Sequence, residues 1–221
     1  MRVVVKLGGR VAAASVGEVL DRRAGGDEVV VVHGAGPQIS AELQARGLPV
    51  AFLRGRRRTD AATLAVVRES LVAVGAQLSA ALGPAAVQLV GDETGLEATP
   101  VSELGLVGEP VASSLSAVEH ALAGGQIPVV TPIAVGPLNV NADEAAAAVA
   151  SSVGADRLVF VSDVPGVYFE GAVLPLIHAD RVSELLECGT FDGGIVPKLI
   201  AAVQAARAGL TAEIGETAVV A

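Results

Sequence analysis

The chain has 221 residues, a formal charge of −9, and 52% apolar against 18% charged residues, so it can bury a full hydrophobic core and is not generally disordered. The acidic balance argues against duplex nucleic-acid binding, which needs phosphate neutralisation, and an aromatic content of 2% leaves no stacking platform for single strands. A single cysteine, Cys188, rules out an intrachain disulfide and is compatible with a reducing compartment.

The first stretch, Arg2-Val-Val-Val-Lys6-Leu-Gly8-Gly9, reads as a strand buried on both faces that ends on a lysine and turns at once on two glycines. A buried strand that delivers an ammonium to a glycine turn is suited to an anion, most often a phosphate. The basic residues sharpen this, since 13 of the 15 are Arg and the two lysines, Lys6 and Lys198, both sit beside glycine turns. Lysine is the compact, flexible charge that can follow a moving phosphoryl group.

Further along, a helix is expected over Val16 to Arg23 and a second apolar strand over Glu28 to Val32. That strand runs into His33-Gly34-Ala35-Gly36-Pro37-Gln38, where Gly34 and Gly36 would admit a phosphate to backbone N–H groups and Pro37 starts a helix to Arg46. His33 reads as a structural strand-end residue. A short strand over Pro49 to Leu53 leads to the cluster Arg54-Gly-Arg56-Arg57-Arg58, a solvated basic face or a site for a substrate carboxylate. Asp60 caps a long helix to Leu82. A strand (Ala86 to Val90), a hairpin over the sheet edge (Gly91 to Pro110), a helix (Ser116 to Ala123) and a strand (Ile127 to Thr131) follow. The alternation argues for βαβ units and a parallel sheet, with ligands at the carboxyl ends of the strands.

Asn139 and Asn141 would face the same way on an extended backbone and offer paired donors, and Asp143 stands near the start of a small-residue helix from Ala145 to Ser152. Next come a strand (Arg157 to Val161), the turn Ser162-Asp163-Val-Pro-Gly166, a hairpin (Tyr168 to Leu174) and a helix (Arg181 to Glu187). Gly193-Gly-Ile-Val-Pro-Lys198 opens a helix to Ala208, and two short strands, Thr211 to Ile214 and Thr217 to Val220, end the chain. No apolar run approaches the roughly 18 residues needed to span a bilayer, and Lys6 with its glycines interrupts any secretory apolar region, so a cytoplasmic protein without a membrane partner is expected.

With these pieces placed, the sequence resembles the amino-acid kinase family, and within it the branch that phosphorylates N-acetylglutamate. The resemblance runs from Val3 to about Gly209 and rests on six motifs in order: Val-Lys6-Leu-Gly-Gly, His33-Gly-Ala-Gly-Pro-Gln, Gly55-Arg-Arg-Arg-Thr-Asp60, Asn139-Val-Asn-Ala-Asp143, Ser162-Asp-Val-Pro-Gly166 and Gly193-Gly-Ile-Val-Pro-Lys198. It implies a three-layer αβα sandwich with a central, mainly parallel sheet. It further implies one domain with an acyl-amino-acid lobe (1–155) and a nucleotide lobe (156–221), and substrates N-acetyl-L-glutamate and ATP, with Mg²⁺ carried by the nucleotide and no resident metal.

By the same resemblance, Lys6 and Lys198 would stabilise the transferring phosphoryl group and Asp143 would hold both ammonium groups. Gly8, Gly9, Gly34 and Gly36 would cradle phosphate, and Ser162, Asp163 and Gly166 would lie on the nucleotide side, with adenine and ribose held between Ser162 and about Phe191. Gly34, Ala35, Arg57, Asn139 and Asn141 would bind the acyl amino acid, with a one-residue slip to Arg56 or Arg58 left open. Ala35 stands where the family has glycine, so it would be strained if that position needs positive φ. The loop after Gly166 and the segment after Gly209 are short for the family, and the short lead before Lys6 implies a homodimer insensitive to arginine. A kinase for glutamate or aminoadipate on an amino-group carrier protein, and a non-catalytic regulator, are the alternatives.

Overall fold

The computed structural model describes residues 1–9, 15–161 and 164–221. An eight-stranded sheet forms its middle layer, in the order Leu176–His178, Thr217–Val220, Thr211–Ile214, Arg157–Val161, Arg2–Leu7, Glu28–His33, Ile127–Thr131, Ala86–Val90. Neighbours run parallel except for the hairpin of Thr211–Ile214 with Thr217–Val220. The Arg2–Leu7 strand is central. Its three valines are fully buried, each contributing about 1.5–3 kcal/mol of apolar burial.

The period of two along that strand divides the core. Val3, Val5 and Leu7 pack with Val19, Ile39, Leu71 and Leu78, on the face covered by helices Val16–Ala24, Gly36–Ala45 and Ala61–Leu82. Val4 belongs to the core that also holds Ala146, Ala150, Leu199 and Val182, on the face covered by Ser116–Ala123, Ala142–Ser152, Ala179–Glu187 and Ile195–Arg207. Lys6 takes the next position on Val4's side. The buried alanines 145–148 and 150 let the Ala142–Ser152 helix lie close both to the sheet and to the Ile195–Arg207 helix beside it.

Several local expectations change. The Gly91 to Pro110 stretch does form a hairpin, Ala98–Pro100 antiparallel to Val107–Pro110, but not over the edge of the main sheet. It makes a short helix, Gly91–Thr94, and two strands of a separate four-stranded sheet, ordered Ala98–Pro100, Val107–Pro110, Leu138–Val140, Ile133–Ala134. The strand expected over Pro49 to Leu53 shortens to Phe52–Leu53 and pairs back on Arg56–Arg57 through a turn in which Arg54 and Gly55 both have positive φ (50° and 79°), the geometry of a tight two-residue hairpin. Leu176–His178, not expected as a strand, adds to the sheet edge by pairing with Thr217–Val220. Three helices begin earlier than expected, at Gly36, Ala142 and Ala179.

The Ala61–Leu82 helix is long and apolar enough, by length and composition, to cross a membrane. Nine of its residues are nevertheless buried in the structure, and the charges that interrupt its apolar run are paired, Arg68 with Asp92 and Glu93, and Glu69 with Arg46. Asp60 caps it by accepting from the Thr63 N–H at 2.7 Å.

Candidate active site

Three adjacent strands end in register, with Leu7 paired to both His33 and Val161, and a cleft of about 500 Å³ opens at that carboxyl edge. Three helices start at its wall: Gly36 and Pro37 open one, Ala142 and Asp143 the second, and Gly194 caps the third, which carries Pro197 and Lys198. Convergent helix N-termini bring free N–H groups and positive potential to one place.

Two buried charges meet in the cleft. Lys6 and Asp143 are 5% and 7% exposed, with Lys6 Nζ 2.7 Å from Asp143 Oδ1. Lys198 Nζ reaches the same oxygen at 3.4 Å. Burial lowers the Lys6 pKa, Asp143 opposes that shift, and Lys198 adds to it. Asp143 therefore offsets the repulsion between two cations and fixes their direction. Asn141 holds Asp143 in place, its Oδ1 accepting the N–H of Asp143 at 2.8 Å and of Glu144 at 3.3 Å.

The glycine turns line the same space: Gly8, Gly9, Gly34, Ala35 and Gly36 all face the cleft. A Cβ on Gly9 would lie 2.9 Å from Gln38 Oε1 and 3.2 Å from Pro37 Cδ, so the two turns touch backbone to side chain and a side chain there would have to displace Gln38. The strain feared at Ala35 is absent. Its φ is −142°, outside the left-handed region, and its methyl group is buried in the core on the Ile39 face.

The three arginines differ in how much of each guanidinium is already used. Arg56 makes a fork to Glu144, Nε to Oε1 and Nη2 to Oε2 both at 3.0 Å, and its Nη1 donates to Glu109 at 2.6 Å. Arg58 lies outside the cleft lining. Arg57 lines the cleft, stacks 4.6 Å over the Phe52 ring and donates through Nη2 to Ser40 Oγ at 2.9 Å. Its Nη1 is buried without a partner, and burial lowers its pKa. An unpartnered buried guanidinium N–H is costly until an anion arrives. Of the three, Arg57 is the one equipped to take a carboxylate.

Asn139 and Asn141 both line the cleft, but each also has a structural bond. Asn139 Nδ2 donates to Thr59 Oγ1 at 3.0 Å, and that hydroxyl donates to the Arg57 carbonyl at 2.8 Å. The capping Oδ1 of Asn141 leaves its Nδ2 as the donor available to a ligand. Gly166 does not reach the cleft lining. It is a packing glycine, since a Cβ there would meet Val173 Cγ1 at 2.6 Å and Thr217 Oγ1 at 2.7 Å. The expectations for Ser162 and Asp163 lie outside the described residues. His33 points to the opposite face of the sheet, 3.4 Å from Thr131 Oγ1, and burial holds its pKa down to about 4.

Sequence reading missed Phe52 as the platform for Arg57, and Glu144 with Glu109 as the partners of Arg56. Glu144 follows Asp143 directly, but nothing local links it to an arginine 88 residues away. Among the described residues no group of three or more His, Cys, Asp or Glu side chains is placed to hold a metal. Asp143, the carboxylate in the described cleft lining, is bonded to two ammonium groups. That donor set suits a cation carried in on phosphate oxygens.

A mainly parallel sheet whose carboxyl edge gathers three helix N-termini and two ammonium groups on one carboxylate is suited to holding a transferring phosphoryl group, and the relatives of the chain are phosphotransferases. The chain belongs to the amino acid kinase family, whose model matches residues 1–215. It is 39% identical to an acetylglutamate kinase of Rubrobacter xylanophilus, over 96% of this chain and 87% of that one. An acetylglutamate kinase of Geobacillus stearothermophilus is 38% identical, over 92% and 84%. The crystal structure of smu.665 from Streptococcus mutans superposes with a TM-score of 0.89 at 28% identity, covering 99% of this chain and 98% of that one. A carbamate kinase from Giardia lamblia bound to AMP-PNP shares the fold, with a TM-score of 0.75 at 16% identity over 99% and 98% of the two chains.

Proposed function

We propose that this chain transfers the γ-phosphoryl group of ATP to the side-chain carboxylate of N-acetyl-L-glutamate, giving N-acetylglutamyl 5-phosphate and ADP in arginine biosynthesis. The observation that carries the reading is the Lys6–Asp143–Lys198 bridge in a cleft that also presents the unpartnered Arg57 Nη1. Relatives at 38–39% identity named acetylglutamate kinase support it over most of both chains.

The chemistry needs no base. A side-chain carboxylate has a pKa of about 4.3 and is ionised at neutral pH, which suits a cleft with no histidine in its described lining. One carboxylate oxygen forms a bond to the γ-phosphorus while the bond from that phosphorus to the bridging oxygen breaks, and ADP leaves with the electron pair. Catalysis is then in-line positioning with cancellation of charge on the phosphoryl oxygens.

Lys6 and Lys198 take those oxygens, and Asp143 keeps both ammonium groups aimed. The N–H groups of Gly8, Gly9, Gly34 and Gly36 form the phosphate cradle. Arg57 binds the acceptor's other carboxylate, with Asn139, Asn141 and the Gly34–Ala35 backbone around the acyl amino acid. Mg²⁺ riding on the nucleotide would supply further charge neutralisation. Residues 1–155 form the acceptor side in this reading and 156–221 the nucleotide side, with Ser162, Asp163 and Gly166 near the nucleotide. Exposed apolar side chains at Leu106, Val111 and Val135 offer surface for a second copy, and a homodimer is part of the proposal; a monomer mass by sedimentation removes that part. Phosphorus NMR of a mixture with ATP, Mg²⁺ and N-acetylglutamate tests the rest: an acyl phosphate signal should grow with ADP, and ADP without it would overturn the reading.

A further inference from the structure

A fork between Arg56 and Glu144 lies beside the site and outside the chemistry just described. Glu144 is 7% exposed, and burial pushes its carboxyl pKa up against the pull of Arg56. A buried ion pair of this kind is a poor stabiliser, because two apolar side chains of similar volume would cost less to bury. The value of such a pair is geometric, since a planar guanidinium gripping both carboxylate oxygens fixes two elements in distance and angle.

The elements joined here are specific ones. Arg56 lies on the Phe52–Arg57 hairpin next to Arg57, and Glu144 lies next to Asp143 in the first turn of the Ala142–Ser152 helix. The third Arg56 bond, Nη1 to Glu109 at 2.6 Å, reaches the Val107–Pro110 strand, which pairs in register with Asn139 through Val107. One side chain thus ties the hairpin bearing Arg57 to the helix bearing Asp143 and to the small sheet bearing Asn139. Arg57 itself is also held, by Ser40 and by the Thr59 hydroxyl on its carbonyl, but the tip of the hairpin has little beyond the exposed Arg54–Glu103 contact at 3.8 Å. Phe52 and Leu53 are exposed, Arg54 sits at positive φ, and a Cβ on Gly55 would only touch Pro197 at 3.4 Å.

We propose that Arg56 is a positioning residue, whose clasp on Glu144 and Glu109 seats the Phe52–Arg57 hairpin over the cleft and so sets where Arg57 meets the acceptor carboxylate. The inference rests on the acceptor reading given above for its kinetic consequence, and on geometry alone for the seating of the hairpin. The test is a cycle of Arg56→Met, Glu144→Gln and the double variant, read by steady-state kinetics and by amide exchange of residues 52–57, with residues 2–7 as a folding control.

Each single variant should raise KM for N-acetylglutamate about tenfold with KM for ATP within about twofold, and the double variant should be no worse than either single one. Exchange of the ligand-free hairpin should speed up in all three while residues 2–7 stay protected. Single-variant effects that multiply in the double variant, or equal rises in both KM values, would overturn the clasp. Unchanged hairpin exchange would overturn it as well, even in a protein that does not turn over N-acetylglutamate. Faster hairpin exchange in the variants, with no turnover of N-acetylglutamate by the wild type, would uphold the seating and count against the acceptor instead. Loss of protection at residues 2–7 in Arg56→Met passes the decision to Glu144→Gln, which keeps the side chain's shape but replaces one accepting oxygen of the fork with an amide donor.

Discussion

Lys6 and Lys198 reach the same oxygen of Asp143 from two walls of the cleft, and the walls are unlike. Lys6 ends a strand paired on both sides, its side chain 7% exposed and 2.7 Å from the carboxylate; Lys198 rides a helix that follows a glycine turn, 17% exposed and 3.4 Å away. Around Lys6 the wall is bonded before any ligand arrives: Asn141 caps the Asp143 helix, Thr59 links Asn139 to the Arg57 backbone, and Phe52 supports the Arg57 guanidinium. From beyond residue 155 the described lining consists of Val161, Gly194, Pro197 and Lys198. Preorganisation is thus concentrated on the side that the proposal assigns to the acceptor, where a small ligand must be held at a fixed angle, and the looser side is the one it assigns to a larger ligand that brings its own charge.

The comparison breaks most directly at the shared carboxylate. Asp143→Asn should lower kcat about 10²–10³-fold, the scale for removing a preorganised electrostatic element, because both ammonium groups lose their anchor at once; steady-state kinetics with a folding check by circular dichroism reads it. Arg57→Leu should act on one wall alone. It should raise KM for N-acetylglutamate about 10–100-fold, the worth of a charge-assisted hydrogen bond, with KM for ATP within about twofold.

A smaller effect separates the site face of the sheet from its other face. His33 has its folded pKa depressed from 6.5 to about 4, so between those values the unfolded chain binds a proton that the folded chain refuses. Its contribution is complete above pH 6.5 and is lost as pH falls toward 4, by about 3 kcal/mol at 1.36 kcal/mol per unit. Urea unfolding across that window should show the slope in the wild type and a shallower one in His33→Gln. The smallest effect concerns the turn that follows His33. Ala35→Gly relieves no strain at φ −142°, so it should cost about 0.5–1 kcal/mol of stability through the unfolded state, with kcat within about twofold.

The strand ends and glycine turns were legible in the sequence because apolar runs stop abruptly on Lys6, His33 and Val161 and their turns use residues that only a close approach requires. The Asp143 helix was legible as well, although its start at Ala142 depended on Asn141 serving as cap. The Phe52–Arg57 hairpin was half seen. Its return strand is two arginines, which carry no strand signal, and its order comes from stacking and ion pairs formed in space. Leu176–His178 was missed because Leu176 and His178 are exposed and only pairing with Thr217–Val220 makes it a strand. Which of three adjacent arginines keeps a free guanidinium edge was not written locally, since partners 88 and 53 residues away decide it.

The central claim is that two lysines organised by one carboxylate phosphorylate a free acyl amino acid, and trapping the product tests it most directly. ATP and Mg²⁺ would be supplied with N-acetylglutamate, glutamate, aspartate or carbamate in parallel, and acyl phosphate captured by hydroxylamine as the hydroxamate. Hydroxamate should form with N-acetylglutamate, and should disappear in Lys6→Ala and Lys198→Ala. No hydroxamate from N-acetylglutamate with the wild-type protein, or undiminished product in either lysine variant, would contradict the account.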